Sequence, residues 1–415
     1  VYKRQRWMSS IDWLEFFEKV SLVDDVLRRA SAFAAMDFAT RDEYRKQVEM
    51  LSRNSESSEI EVARAAVLLA QNALESGVSG NKSQLPGIPE RAEADPGFYL
   101  LAKGRRDFER QLGFRAPLLL RLRRVLRAYG IAAYLGGIAA ITVLQLCGLL
   151  FVAGFAGAAL WSTLSLVLLG VVPAAEIAVS LVHRLVAVVM PPKTLPKLEL
   201  AQGIPPELRT LVVVPTLLTR LSDLEEQLER LEVHYLANPE GHLHFALVTD
   251  WADAPYCEME GDDGLTAALV EGIARLNDRY QGPPGGGSRF LLLHRRRLWN
   301  EQESQWIGWE RTRGKLHELN RLLRGATDTS FIPVHGRPPV VPVGVRYVIT
   351  LDADTRLPKG AAYRLIGAMA HPLNQPRFDP VKGRVVEGYA VMQPRITPTL
   401  PTGPLSTTYQ RIVSG

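Results

Sequence analysis

Two aspartates separated by one residue carry the clearest chemistry in this sequence. Asp352 and Asp354 form an Asp-Ala-Asp segment that directly follows the apolar run Tyr347–Leu351. Carboxylate oxygens are preferred ligands of Mg²⁺ and Mn²⁺, which complete their coordination with water and substrate phosphates. Because such segments also occur in ordinary solvated turns, the meaning of this one depends on the elements that position it.

The region around the two aspartates has an α/β pattern. Apolar, β-branched runs alternate with helical periodicity from about Thr210 onward, which is typical of βαβ units and a parallel sheet. The predicted strands are Leu211–Val214, His244–Thr249, Phe290–His294, Val345–Leu351 and Val385–Gln393. A helix is predicted over Leu221–Tyr235 and ends at Asn238–Pro239. Ligands of such folds bind at the carboxyl ends of the strands, where Asp250 and the Asp-Ala-Asp segment both stand.

The Asp-Ala-Asp-Thr segment has a second interpretation. It also fits the D-x-D-x-T signature of haloacid-dehalogenase-like phosphatases, in which Asp352 would be the nucleophile and Asp354 the acid/base. That fold needs further motifs on strands that follow its first strand. Here four predicted strands precede the segment, and 61 residues follow it. The pattern therefore disfavours a phosphatase.

A long stretch without charge precedes the α/β region. No Asp, Glu, Lys, Arg or His occurs in the 48 residues from Ala128 to Ala175. The stretch predicts two membrane spans, about Ala132–Val152 and Ala158–Val179, because one span needs roughly 20 apolar residues. A buried helical hairpin in a soluble domain is the alternative, but soluble helices seldom stay uncharged over this length.

The flanks of this stretch are basic. Arg184, Lys193 and Lys197 follow it, and nine cations precede it: Lys103, Arg105, Arg106, Arg110, Arg115, Arg121, Arg123, Arg124 and Arg127. The positive-inside rule then predicts that both ends of the chain are cytoplasmic. The cluster lacks interleaved aromatic residues and the net charge is only +5, so no nucleic-acid partner is expected.

Composition and periodicity organise the rest of the chain. Two cysteines exclude a disulfide scaffold, and 47% hydrophobic residues exclude wholesale disorder. Helical patterns over Ile11–Leu22 and Ile60–Leu68, and a polar loop over Asn81–Pro96, carry no catalytic constellation. The predicted organisation is a cytoplasmic helical region (1–127), a transmembrane helix pair (128–190), a proline-rich linker (191–209) and an α/β domain (210–415).

Several long motifs resemble a known family. Segments Leu211–Thr216, Ala246–Asp250, Arg313–Asn320 and Leu351–Thr355 resemble the GT-A catalytic domain of membrane polysaccharide synthases. The chain is most similar to the N-terminal glycosyltransferase region of the cyclic β-1,2-glucan synthase family. That similarity lies in His234–Pro239, Trp299–Arg311, Arg313–Arg321, Thr350–Pro358 and, before the apolar stretch, Met36–Arg45. The resemblance therefore covers almost the whole chain.

The resemblance implies an activity and a set of site residues. It implies a bacterial inner-membrane glycosyltransferase that transfers glucose from UDP-glucose, with inversion, to a growing β-1,2-glucan built on the protein itself. Asp352 and Asp354 would hold Mg²⁺ or Mn²⁺, and Asp352 would also face the donor diphosphate. Asp250 would contact uridine, unless it is a helix cap. Lys315 would contact uracil or phosphate, unless it is a solvated helix charge.

Other features leave alternatives open. Family members continue well beyond this region, so the catalytic base is expected beyond Gly415, and this stretch is expected to bind donor without polymerising it. Trp299, Trp306 and Trp309 predict either a sugar-stacking surface or core aromatics. His317 and His371 have no ligand partners at useful spacing. A synthase that uses another UDP-sugar, or a noncatalytic nucleotide-binding membrane module, remains an alternative function.

Overall fold

The computed structural model describes residues 13–29, 31–76, 85, 88–89, 91–157, 159–334 and 336–396. The chain forms two compact units. One unit takes in residues 1–43, 67–98 and 196–415, and the other takes in residues 44–66 and 99–195. The first contains the sheet and the acid pair, by which we mean Asp352 and Asp354. The second contains the two apolar helices.

Short and medium helices form the first part of the chain. They are α1 (Trp13–Val20), α2 (Leu22–Arg28), α3 (Phe38–Arg53), α4 (Glu59–Ser76), α5 (Gly97–Leu100) and α6 (Arg105–Gln111). The single helix predicted over Ile11–Leu22 is two helices, because Ser21 caps α2 by accepting a hydrogen bond from the Asp24 amide. Ile11 itself lies outside the described residues, as do seven of the sixteen residues of Asn81–Pro96, whose described part includes a 3₁₀ turn at Ala92–Ala94. The helix predicted over Ile60–Leu68 is confirmed as α4.

Two long apolar helices follow, as the charge-free stretch predicted. They are α7 (Leu118–Phe155) and α8 (Leu160–Val189), and both are long and apolar enough to cross a membrane. Only 6% and 11% of their most apolar windows are buried, unlike the core helices of a soluble protein. Helix α7 begins earlier than the predicted span, and Gly130, with a φ of 48°, interrupts it where the basic segment meets the apolar one. Gly157, with a φ of 67°, lies in the turn between the helices.

The two apolar helices pack along small side chains. Ala174, Ala178 and Val182 of α8 are buried, and a Cβ at Gly137 would lie 3.7 Å from Val182. The Tyr134 hydroxyl lies 2.7 Å from Nε2 of His183 and links the two helices through polar side chains. Such small-residue contacts allow close helix packing in lipid, where apolar burial alone gives no driving force.

A mixed five-stranded sheet forms the α/β domain. The strands are β1 (Thr210–Leu218), β2 (Leu243–Trp251), β3 (Phe290–Arg295), β6 (Phe331–Ile332) and β7 (Tyr347–Thr350). Their order is β6-β3-β2-β1-β7, and all neighbours are parallel except the β3–β6 pair. Two antiparallel hairpins lie outside this sheet, β4 (Leu298–Asn300) with β5 (Gln305–Ile307) and β8 (Arg377–Asp379) with β9 (Arg384–Glu387).

Helices cover both faces of the sheet. The helices that pack against it are α9 (Leu221–Ala237), α10 (Asp262–Arg279) and α11 (Arg311–Leu323), and a further helix, α12 (Ala361–Ala370), follows β7. Leu211, Val213 and Ala246 form a fully buried core with Leu319 of α11. On the other face Tyr235 of α9 makes edge contacts with the rings of Phe245 and Phe290. The alternation of faces along β1 and β2 explains why their central residues, Leu211–Val214 and Phe245–Val248, are apolar on both faces.

One predicted strand has a different place in the fold. The segment Val385–Gln393 was expected as a fifth strand of the main sheet, and this prediction is wrong. Only Arg384–Glu387 is extended, and it pairs with Arg377–Asp379 in a separate hairpin. Val391 is 83% exposed, so the end of the predicted strand has no sheet to cover it. The fifth strand of the main sheet is Phe331–Ile332, which is too short to give an alternation pattern.

Candidate functional site

The order of the strands defines a crevice at one edge of the sheet. Strand β1 is flanked by β2, the next strand along the chain, on one side and by β7, which comes after β3 and β6, on the other, so the order of the strands reverses at β1. In open α/β sheets, ligands bind at the carboxyl ends of the strands at this switch point. Here Thr216 in β1, Asp250 in β2 and the acid pair after β7 all lie at that edge.

The acid pair lies in an exposed turn directly after β7. The Leu351 amide donates to the Val213 carbonyl at 2.9 Å, which continues the pairing of β7 with β1, and the Thr355 amide donates to the Asp352 carbonyl at 2.9 Å. Arg230 of α9 donates to the Ala353 carbonyl. Asp352 and Asp354 are exposed, and neither carboxylate has a hydrogen bond or ion pair with another described residue. Both are therefore available to a ligand.

Asp250 has the opposite environment. Its side chain is 2% exposed and receives two hydrogen bonds from Arg295, from Nε to Oδ1 and from Nη2 to Oδ2, both at 2.8 Å. This two-pronged geometry is the strongest that arginine and a carboxylate can form. Asp250 lies inside β2 and is not a helix cap, so that alternative is wrong.

Arg295 is fully buried and ties several segments together. Besides Asp250, its Nη1 donates to Glu318 of α11 at 2.9 Å. It also donates to the carbonyls of Trp309 at 3.1 Å and Arg311 at 3.2 Å, at the start of α11. Glu318 in turn accepts hydrogen bonds from the Ser330 amide and hydroxyl. One guanidinium thus joins β2, the loop before α11 and α11 itself.

Lys315 completes this buried group, which we call the ion cluster: Asp250, Arg295, Lys315 and Glu318. Its Nζ donates to the Thr216 carbonyl at 2.6 Å and lies 3.2 Å from Oδ2 of Asp250. The side chain is 2% exposed, so the interpretation of Lys315 as a solvated helix charge is wrong. Burial lowers the pKa of Lys315 from its usual value, and the attraction of Asp250 opposes that shift.

The backbone beside the ion cluster has strained φ angles and approaches the cluster closely. Glu310 and Arg311 both have a φ near +50°, a conformation that costs a non-glycine residue on the order of 1 kcal/mol or more. A Cβ at Gly308 would collide with the Asp250 carboxylate, and one at Gly314 would collide with the Trp309 carbonyl. The close approach of chain and cluster therefore requires glycine at both positions.

A second buried pair supports the same edge. Arg297 donates to both oxygens of Asp262 at the start of α10 and to the Ala252 carbonyl, and its guanidinium lies 5.2 Å from the centre of the Trp251 ring. Nδ1 of His294 lies 2.8 Å from the Thr249 hydroxyl, and burial lowers the pKa of His294 to about 4. The carboxyl ends of β2 and β3 are thereby fixed.

Several of these residues were not predicted from the sequence. Arg295, Arg297 and Glu318 were not singled out, although Arg295 stands at the end of the apolar run Phe290–His294, where an unpaired cation would be costly. The position of Arg295 at the end of this run was the signal in the sequence that could have indicated a buried ion pair. Trp299 is 50% and Trp309 41% exposed, whereas Trp306 is half-buried. The alternative of buried core aromatics is therefore wrong for Trp299 and Trp309.

The acid pair fits a hard divalent cation by its donor set. Among the described residues no three His, Cys, Asp or Glu side chains form a cluster that could hold a metal ion. Mg²⁺ and similar ions need no such cluster, since they commonly use one or two carboxylates with water and phosphate oxygens. Asp352 and Asp354, exposed and unpaired, match that mode of binding.

Comparison with known proteins adds to these observations. The fold is a Rossmann-like α/β domain with a candidate site at its switch point, preceded by a helical region and two candidate membrane helices. No family model matches the chain. Over 412 residues, 99% of its length, it is 39% identical to the cyclic beta-(1,2)-glucan synthase NdvB of Rhizobium meliloti (strain 1021), and it spans 14% of that protein's length. This likeness over nearly the whole chain supports the cyclic β-1,2-glucan synthase family that the motifs predicted.

Proposed function

We propose that this chain is the donor-binding region of a membrane glycosyltransferase of the GT-A type, which transfers glucose from UDP-glucose to a growing β-1,2-glucan. The observation that carries the proposal is the unpaired, exposed acid pair at the switch point of a Rossmann-like sheet. A diphosphate-linked sugar suits such a site, and the name of the relative indicates the glucan.

Each site residue has a proposed role. Asp352 and Asp354 would hold Mg²⁺ or Mn²⁺, and Asp352 would face the donor diphosphate. The ion, when bound, would neutralise the charge that develops on the departing diphosphate. Lys315 and Asp250 contribute to the donor site as a rigid pair beside β1, because Asp250 holds the ammonium group against the Thr216 carbonyl.

The proposed transfer proceeds with inversion at the sugar carbon. A single displacement of this kind needs a general base that takes the proton from the attacking hydroxyl of the acceptor. We assign that role to no residue of this chain. The acceptor is proposed to be a glucan linked to the protein.

The donor site is tested by measuring the affinity of the detergent-solubilised chain for UDP-glucose with and without Mn²⁺ or Mg²⁺. We expect metal-dependent binding that falls by tenfold or more in Asp354→Asn and in Asp352→Asn, since each loses a charged ligand. Asp278→Asn is the matched control, because Asp278 is exposed near the C-terminal end of α10.

Four outcomes would contradict the proposal. Wild-type affinity in Asp354→Asn, or equal binding without a divalent ion, would refute the metal site. Tighter binding of another UDP-sugar would favour a different synthase. UDP-glucose binding no tighter than that of UDP would favour a noncatalytic nucleotide-binding module.

The proposed location is the bacterial cytoplasmic membrane, with α7 and α8 crossing it and both ends of the chain in the cytoplasm. Cys257 provides the test, since it is exposed in the α/β domain after β2. In a Cys147→Ser background, a membrane-impermeant maleimide should label Cys257 in inside-out vesicles and not in intact spheroplasts. Labelling of Cys257 in intact spheroplasts would show that the α/β domain lies outside the cytoplasm and would refute the proposed orientation.

A further inference from the structure

Two exposed tryptophans lie in the segment that precedes α11, at the carboxyl edge of the sheet. Trp299 in β4 is 50% exposed and Trp309, just before α11, is 41% exposed. Tryptophan has the largest apolar ring of any residue, so exposing two in one short segment gives up much favourable burial. The hydrogen bond between Trp309 and the ion cluster uses the backbone carbonyl of Trp309 and leaves its ring free of that bond.

The backbone that carries these rings is held firmly. Trp299 pairs with Trp306 across the β4–β5 hairpin, and their rings meet edge to face at 5.8 Å. Trp306 exchanges two backbone hydrogen bonds with Ala254, at 2.8 and 3.0 Å, which fastens the hairpin to the loop after β2. The Trp309 ring contacts His317 of α11 edge to face at 5.8 Å. The rings are thus presented on fixed backbone.

The β4–β5 hairpin and the acid pair lie at the same edge of the sheet but follow different strands. The hairpin follows β3, while the acid pair follows β7, and β2 and β1 lie between them. Three inter-strand steps of about 4.8 Å separate the two strand ends by roughly 14 Å. That distance exceeds the width of a single sugar ring, so the hairpin would meet a chain of sugars rather than the transferred glucose.

We infer that Trp299, Trp306 and Trp309 form a platform that binds the glucan acceptor by stacking against the apolar faces of its glucose rings. This inference rests on the proposed function, since it needs a glucan to be the acceptor. The axial C–H groups of a β-glucosyl ring form a flat apolar surface, and an exposed indole face offers a matching one. Glu301 and Gln305 are exposed on the same hairpin and offer hydrogen-bonding groups to the sugar hydroxyls.

The platform is tested with linear β-1,2-linked gluco-oligosaccharides and the detergent-solubilised chain. Binding is measured by calorimetry and by saturation-transfer NMR, without UDP-glucose. We expect affinity to rise with oligosaccharide length and to fall about tenfold in Trp299→Ala and in Trp309→Ala, as loss of a stacked aromatic ring predicts. Phe378→Ala is the matched control, because Phe378 is 60% exposed on the separate β8–β9 hairpin.

Folding of the variants is checked by their melting temperature and by UDP-glucose affinity. Trp299→Phe and Trp309→Phe retain a ring and should restore most of the oligosaccharide affinity. Unchanged oligosaccharide affinity in the Trp299→Ala/Trp309→Ala double variant would overturn the platform, as would absence of oligosaccharide binding by a wild-type chain that binds UDP-glucose. Failure of the wild-type chain to bind UDP-glucose would instead refute the proposed donor site, since oligosaccharide binding is measured separately.

Discussion

Asp250 and the acid pair end two parallel strands of the same sheet, yet their carboxylates have opposite surroundings. Asp250 is 2% exposed and holds two cations, whereas Asp352 and Asp354 are exposed and hold none among the described residues. The difference arises from the segments that cover each strand end. The β4–β5 hairpin and α11 cover the chain after β2, whereas the chain after β7 enters an open turn.

One residue type thus serves two purposes at one edge of the sheet. A buried carboxylate loses its hydration and is tolerated only when cations and hydrogen bonds replace the water. An exposed carboxylate keeps its hydration and can exchange that water for a ligand. We therefore expect the ion cluster to act on stability, besides its part in the donor site, and the acid pair to act on binding alone. Substitutions in the two regions test this division.

The largest effect is expected for Arg295→Leu. Removing the guanidinium leaves Asp250 and Glu318 as buried carboxylates with much of their compensation lost, so the α/β domain should lose about 3–5 kcal/mol of unfolding free energy. Urea unfolding followed by tryptophan fluorescence measures the loss. Arg321→Leu is the control, since it breaks an exposed ion pair with Asp328, and it should leave stability unchanged. Equal effects of the two variants would refute the structural importance of the cluster.

A smaller effect on stability is expected for Asp250→Asn. The amide removes the charge between Arg295 and Lys315, and the loss should be about 2–3 kcal/mol, as for other hydrogen bonds to charged groups. Asp352→Asn, the same change in the acid pair, should leave the urea midpoint unaltered while it weakens UDP-glucose binding. If Asp352→Asn destabilised the domain as strongly as Asp250→Asn, the division between the two regions would fail.

The smallest effect is a change in the pH dependence of stability. Burial lowers the pKa of His294 to about 4, so between pH 6.5 and about 4 the unfolded chain binds a proton that the folded chain excludes. Stability should therefore fall with decreasing pH, by at most about 1.4 kcal/mol per pH unit for this group. His294→Asn should remove that contribution, which is about 1.4 kcal/mol at pH 5.5.

Two comparisons sharpen this pH experiment. Burial also lowers the pKa of His244 to about 4 and that of His371 to about 3, so part of the acid destabilisation should remain in His294→Asn. Asp352→Asn should keep the full wild-type dependence between pH 7 and 5.5. Identical pH profiles for His294→Asn and wild type would show that His294 does not exclude a proton in the folded state.

The strands that define the fold were predictable because their signals are local. The runs that became β1, β2 and β3 are mostly apolar, as buried parallel strands require. The C-terminal end of α9 agrees with the predicted stop at Asn238–Pro239. The two-residue strand β6 and the separate β8–β9 hairpin were missed. Such short pairs depend on partners distant in sequence, and no local pattern encodes those partners.

The candidate site was predictable only in part. The sequence predicted Asp250, Lys315, Asp352 and Asp354 from strand ends and from resemblance, and the fold brings all four to one edge. Their functional roles stay predictions. The pairing of Asp250 with Arg295 could not be foreseen, because these residues are 45 positions apart and meet only when β2 lies beside β3.

By itself, the sequence determined the charge-free helices, the alternating strands and helices, and the position of carboxylates at strand ends. Each follows from hydrophobic periodicity and from the cost of placing charge in an apolar environment, which act over a few neighbouring residues. The tertiary structure alone decided which carboxylate is neutralised internally and which remains open to ligand. That choice depends on burial, and burial depends on which distant segments, here α11 and the β4–β5 hairpin, cover a strand end.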